Sequence, residues 1–98
     1  MGQDDVQGAA TDLANKGCMF ANGAWDFTGT LSNSQKGAQF YSVRVWVRDT
    51  KTSSVVASQV LEEKLDPGKS VKLDRKALVK TNDAKGLDCV VDVIRKTA

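Results

Sequence analysis

Eleven residues, Gln39 to Asp49, set the strongest constraint on what this chain can become. Tyr41, Val43, Val45 and Val47 form an apolar row at every second position, while Ser42, Arg44, Trp46 and Arg48 occupy the positions between. Strict period-two alternation built on β-branched residues is the mark of a half-buried strand, because successive side chains of a strand point to opposite faces. The strand needs a partner sheet under its apolar row, and the rest of the chain supplies candidates.

Ala24 to Asn33 alternates in the same way, with Trp25, Phe27, Gly29 and Leu31 on one face and Asp26, Thr28, Thr30 and Ser32 on the other. A shorter strand signal, Cys18 to Ala21, precedes it. Asn22-Gly23 between the two predicts a tight hairpin, since both residues tolerate the positive φ of a type I′ turn. Asn33 to Gly37 is a polar loop, and Thr50 to Ser53 turns the chain back. In Val55 to Leu65 helix and strand compete; Leu61 to Lys64 favour helix, but Val55, Val56 and Val60 tip the balance to a strand with a bulge. Asp66-Pro67-Gly68 predicts a turn, because proline presets φ and glycine accepts a positive value after it. Val71 and Leu73 mark a short strand. Asp74 is placed to cap a single helical turn through Arg75 to Leu78. After a loop at Asn82 to Gly86, the last strand, Leu87 to Arg95, puts Leu87, Cys89, Val91 and Val93 on one face.

Short strands divided by turn-rich connections, with no long helix, predict an all-β fold: an immunoglobulin-like antiparallel β-sandwich of about six to seven strands with one disulfide. Two inner rows, led by Trp25, Phe27 and Leu31 on one side and Tyr41 to Val47 on the other, with Val71, Leu73, Val91 and Val93, can fill the space between two sheets. A true immunoglobulin domain has a tryptophan on the strand after that of its first cysteine, packed on the bridge. Trp25 and Trp46 are spaced differently, so the expected likeness is one of architecture. Residues 1–12 are polar or small and aperiodic, and read as a flexible leader ahead of a single domain over 13–98.

The chain has two cysteines, Cys18 and Cys89, near the two ends of the folded part. They could be reduced, buried thiols. No CxxC spacing suggests zinc or redox chemistry, and an even count in a short chain favours a disulfide and an oxidising compartment. No apolar run is long enough to cross a bilayer, and Met1-Gly2 does not open a secretory signal. The start is expected to belong to an expressed fragment from which a targeting segment has been removed.

The net charge of +2 comes from 14 basic and 12 acidic residues spread along the chain. That spread gives no basic face for nucleic acid or for a membrane surface. Histidine is absent from the sequence, which removes the commonest general base and metal ligand. The serines fall in turns or on outward strand positions, without a base to activate them. Asp4-Asp5 and Glu62-Glu63 read as solvated carboxylates, the glycines form no phosphate loop, and a calcium site at Asp83 and Asp88 lacks alternating oxygen ligands. The chain is not expected to be an enzyme or to bind a cofactor or metal.

Across the chain from Cys18 onward, the motifs resemble the FxLyD-type domain of secreted and lipid-anchored bacterial, especially actinobacterial, proteins. The matching features are Cys18; Trp25 leading into Gly29-x-Leu31-x-Asn33; Tyr41-Ser42-Val43-Arg44-Val45 ending at Asp49; Leu65-x-Pro67-Gly68-x-Ser70; and Cys89-Val90-Val91-x-Val93-x-Arg95. At the segment that names the family the chain reads Val45-Trp46-Val47-Arg48-Asp49 and keeps the final aspartate. The resemblance implies an extracytoplasmic module, secreted or anchored to the outer face of the cell membrane through a leader, with no catalytic residues to carry over.

One constellation is a candidate for partner binding. Arg44, Trp46 and Arg48 should stand in a row on the outer face of their strand, an indole between two guanidiniums. Either Trp46 is covered within the fold with the arginines lying over it, or the row is a partner patch, since Trp and Arg are enriched in interface hot spots. The expected function is a non-catalytic extracytoplasmic binding or structural module of a bacterial envelope or secreted protein. It would be a monomer meeting a protein or a cell-wall polysaccharide. The alternative is a small secreted inhibitor or chaperone-like protein that recognises one enzyme or client.

Overall fold

The computed structural model describes residues 7–81 and 83–98, and their fold is an antiparallel β-sandwich. Six long strands carry it: β2 (Leu13–Ala21), β3 (Ala24–Ser32), β4 (Gln39–Asp49), β5 (Val55–Leu65), β6 (Ser70–Lys80) and β7 (Leu87–Thr97). A two-residue strand, β1 (Gln7–Gly8), and a 3-10 turn at Ala10–Asp12 precede them. One sheet has the order β1-β7-β4-β5 and the other β2-β3-β6.

The alternation of β4 is realised in full. It pairs along its whole length with β7 and from Gln39 to Arg48 with β5, and Tyr41, Val43, Val45 and Val47 are each no more than 1% exposed. From the facing sheet come Phe27, Leu31 and Leu73, equally buried, with Trp25 and Val79 beside them. The Asn22-Gly23 hairpin has φ of 52° and 79° at its two central residues, as a type I′ turn requires. Lys69 N–H donates to the Asp66 carbonyl at 3.1 Å across Pro67-Gly68, and Gly68 takes a φ of +76°. This turn moves the chain from one sheet to the other.

Cys18 and Cys89 are bonded, with Cα atoms 6.3 Å apart, and tie β2 to β7 across the two sheets. Trp25 lines the same surface cleft as both cysteines. It stands on the strand after that of Cys18, nearer the immunoglobulin arrangement than the spacing suggested, although β3 shares a sheet with β2.

Three sequence expectations need correction. Asp74 does not cap a helical turn: Asp74 and Arg75 pair with Thr28 and Phe27, and the strand continues to Val79 opposite Trp25. The residues between are taken up in a bulge, where Ala77 adopts a φ of 52° and donates its N–H to Asp26 Oδ1 at 2.7 Å. The bulge lets helix-favouring residues sit in a strand and returns Val79 to the core.

The leader boundary also moves. Gly8 pairs with Ile94, Ala9 N–H donates to the Val93 carbonyl at 2.8 Å, and Ala9 and Asp12 are buried. Residues 7–12 therefore belong to the fold, while 1–6 lie outside the described residues. Finally, the first long strand begins at Leu13, five residues before its first sequence signal, because a bulge with Asn15 at φ 54° breaks the alternation there. The expected bulge in β5 is present: Val47 pairs with Ala57 and Arg48 with Val55, leaving Val56 as the extra residue.

Candidate binding face

The outer face of β4 carries the row that the alternation predicted. Arg44 and Arg48 are exposed and Trp46 is half-buried. Because β4 is central, each member has a neighbour on either side. Arg44 lies between Asp92 and Val60, Trp46 between Val90 and Ser58, and Arg48 between Asp88 and Val55.

Both arginines are held by carboxylates of β7. Arg44 grips Asp92 with two donors, its Nε lying 2.7 Å from Oδ1 and a terminal nitrogen bonding Oδ2. Arg48 Nε and a terminal nitrogen reach the two oxygens of Asp88 at 3.0 and 3.2 Å. These hydrogen bonds, and then the charge of the carboxylate, push both guanidinium pKa values above their ordinary value. Exposed pairs of this kind add little to stability. Their effect here is positional: two planar groups are fixed at either side of an indole, and the Arg44 guanidinium carbon lies 6.0 Å from the Trp46 ring centre.

The surface dips between β4 and β5. A shallow groove there is lined by Arg44, Trp46, Val55, Ser58, Gln59 and Val60. Val55 and Val60 are more than half exposed, so the indole continues into an apolar margin. On the other side of β4 the sheet continues through β7 to the short β1, where Gln7 and Gly8 pair with Arg95 and Ile94. Further along the same face Phe40 is 48% exposed, with Lys64 Nζ 5.9 Å from its ring and Lys96 opposite it in register.

The sequence singled out the three β4 residues but missed their partners. Asp88 and Asp92 were legible, since they alternate with Cys89, Val91 and Val93 and so face outward. Val55 and Val60 were hidden by the bulge at Val56, which shifts the phase of β5. Asp83 and Asp88, weighed as cation ligands, are engaged within the fold: Asp83 Oδ1 accepts the Lys85 N–H at 3.2 Å and Asp88 holds Arg48. Among the described residues no group of three acidic or cysteine side chains could hold a metal ion. No helix among the described residues is long and apolar enough to cross a membrane.

Compared with known proteins, the chain matches no family model, and neither the curated proteins nor the solved structures hold a match to it.

Proposed function

We propose that this domain is a non-catalytic extracytoplasmic binding module of a bacterial envelope or secreted protein, and that it meets its partner through the outer face of β4. The observation that carries this reading is the Arg44–Trp46–Arg48 row. A half-buried indole stands between two guanidiniums that are already immobilised by Asp92 and Asp88. Immobilised groups have less rotamer entropy to lose when a partner arrives. A rigid aromatic with flanking guanidiniums can stack on a sugar ring or pack against a protein surface.

The Cys18–Cys89 disulfide supports the compartment, since such bonds persist outside the reducing cytosol. The resemblance to secreted and lipid-anchored bacterial domains points the same way. The test is retention of the oxidised protein on isolated cell envelopes, and capture from envelope extract, with Trp46→Ala in parallel. Retention should weaken about 30-fold or more in the variant, the equivalent of ~2 kcal/mol. Equal retention of the folded variant would place the contact elsewhere. A single stoichiometric protein captured in place of wall material would favour the inhibitor or chaperone-like reading.

A further inference from the structure

The four-stranded sheet ends on β5, and that edge differs from the others. β1 has two residues. β2 is broken by the bulge at Ala14/Gly17, and its uncharged run beyond the bulge, Gly17–Ala21, holds a strand-weakening glycine and the disulfide-bonded Cys18. β6 carries Lys72, Asp74, Arg75 and Lys76 and is kinked at Ala77. β7 beyond the short β1 carries Asp88 and Asp92. Short length, bulges and charges are the usual protections of a sheet edge. β5 is eleven residues long and pairs only with β4 among the described residues. Between its bulge at Val56 and its charged end at Glu62 it offers Ala57-Ser58-Gln59-Val60-Leu61, without a charge, bulge or proline.

An unpaired strand presents an alternating row of N–H and C=O groups, which water satisfies one by one in the single copy and another extended backbone can satisfy as a set. We infer that the occupant is the β5 of a second copy of this chain, joined antiparallel about a two-fold axis at Gln59, in place of the monomer expected from sequence.

The charge pattern of β5 fits itself in this register. Gln59 faces Gln59 of the other copy, and its amide is both donor and acceptor. Ser58 faces Val60, and Ala57 faces Leu61. Glu62 and Glu63 fall opposite Val56 and Val55, so no like charges meet. The two Glu62 carboxylates lie roughly 20 Å apart along the seam, beyond the ~8 Å Debye length at physiological ionic strength. Moving the axis to Glu62 or Glu63 would set like charges directly opposite, which is unfavourable. The pairing also covers Val60, which is 52% exposed in one copy. It makes one continuous eight-stranded sheet from two four-stranded ones. Because Trp46 pairs with Ser58, one residue from the axis, the two indoles would stand on the same face about 16 Å apart. Two binding faces on one rigid sheet would make the assembly bivalent.

Sedimentation equilibrium of the oxidised full chain over a wide concentration range tests the inference. The expected result is a monomer–dimer equilibrium, with amide exchange within Ala57–Leu61 slowing as the dimer forms. Gln59→Lys sets two ammonium groups face to face at the axis and should weaken the dimer at least about a hundredfold. Ser58→Lys is a second variant on the exposed face of the strand, and Met19→Lys, on the other sheet, should change nothing. Trp46→Ala should leave the dimer intact, which separates this pairing from the proposed partner face. A wild-type chain that stays monomeric while retaining Trp46-dependent partner binding would overturn the pairing alone and leave the edge to a foreign strand. A dimer that survives Gln59→Lys and Ser58→Lys, or is lost with Trp46→Ala, would also overturn it.

Discussion

Tyr41 donates its phenolic hydroxyl to Asp12 Oδ2 at 2.7 Å, joining the start of the central strand to the 3-10 turn that follows β1. Ser34 Oγ donates to the other oxygen of the same carboxylate at 2.6 Å. Tyr41 is 1% exposed, and Asp12 and Asn33 beside it are buried. Burial, followed by the hydrogen bond to Asp12 and its charge, pushes the Tyr41 hydroxyl well above the ordinary tyrosine range. A proton held more tightly in the fold than in the unfolded chain contributes stability that is whole below the unfolded pKa, about 10. That stability is lost as pH rises towards the raised folded value. Tyr41 is the chain's one tyrosine, so phenolate absorbance reports this group alone. It should stay silent above pH ~10 until the protein unfolds, and the two events should coincide. Tyr41→Phe should lose this part of the alkaline dependence. A smooth titration of the native protein near the ordinary tyrosine value would contradict the geometry.

Asp12 should matter to stability despite its place in a segment of no sequence periodicity. Asp12→Ala removes the shared acceptor of two hydroxyls, one of them buried. The expected loss is about 1–3 kcal/mol, the penalty for leaving such groups unsatisfied. Asp12→Asn retains one oxygen and should lose less. Chemical denaturation of the three proteins at neutral pH decides it. If Asp12→Ala melts with the wild type, the N-terminal turn is not part of the cooperative unit.

The disulfide joins residues 71 positions apart. By the chain-entropy argument a bridge closing a loop of that length stabilises by about 4 kcal/mol, mainly by restricting the unfolded chain. Both cysteines also pack against the core, so Cys18→Ala with Cys89→Ala tests the link with smaller loss of packing than one large truncation. The reduced protein and the double variant should both melt well below the oxidised one. Equal melting temperatures would mean that the core alone sets the stability, and would weaken the argument from disulfide to compartment.

What was legible in the sequence depended on phase. β3 and β4 keep strict alternation, so their inner rows and the outward Arg44, Trp46 and Arg48 could be read directly. Bulges hid the rest, because one extra residue inverts the faces of everything after it. That is why Val79 was not placed opposite Trp25, why β2 seemed to begin at Cys18, and why Val60 was not joined to the candidate face. Asp12 and Asn33 were illegible for another reason. Each is a polar residue in a turn, and its burial follows from contacts distant in sequence, as when Asn33 Nδ2 donates to the Leu65 carbonyl at 2.8 Å.

The two tryptophans should respond oppositely to truncation. Trp25 is 9% exposed, meets Phe20 edge-on at 5.4 Å between ring centres, and donates its indole N–H to Thr81 Oγ1 at 2.8 Å. Removing it deletes a large core group and an anchored hydrogen bond together. Trp25→Ala should therefore cost about 3–5 kcal/mol. Trp46 lies on the opposite face of its own sheet, outside the buried cluster, and its loss uncovers only the rim of a shallow groove. Trp46→Ala should melt close to wild type and lose partner binding instead. Fluorescence offers an independent check: a neutral quencher such as acrylamide should reach the Trp46 emission, isolated in Trp25→Phe, much faster than that of Trp25, isolated in Trp46→Phe. Equal quenching would mean that Trp46 is covered in solution, and a collapse of Trp46→Ala would assign it to the core rather than to the binding face.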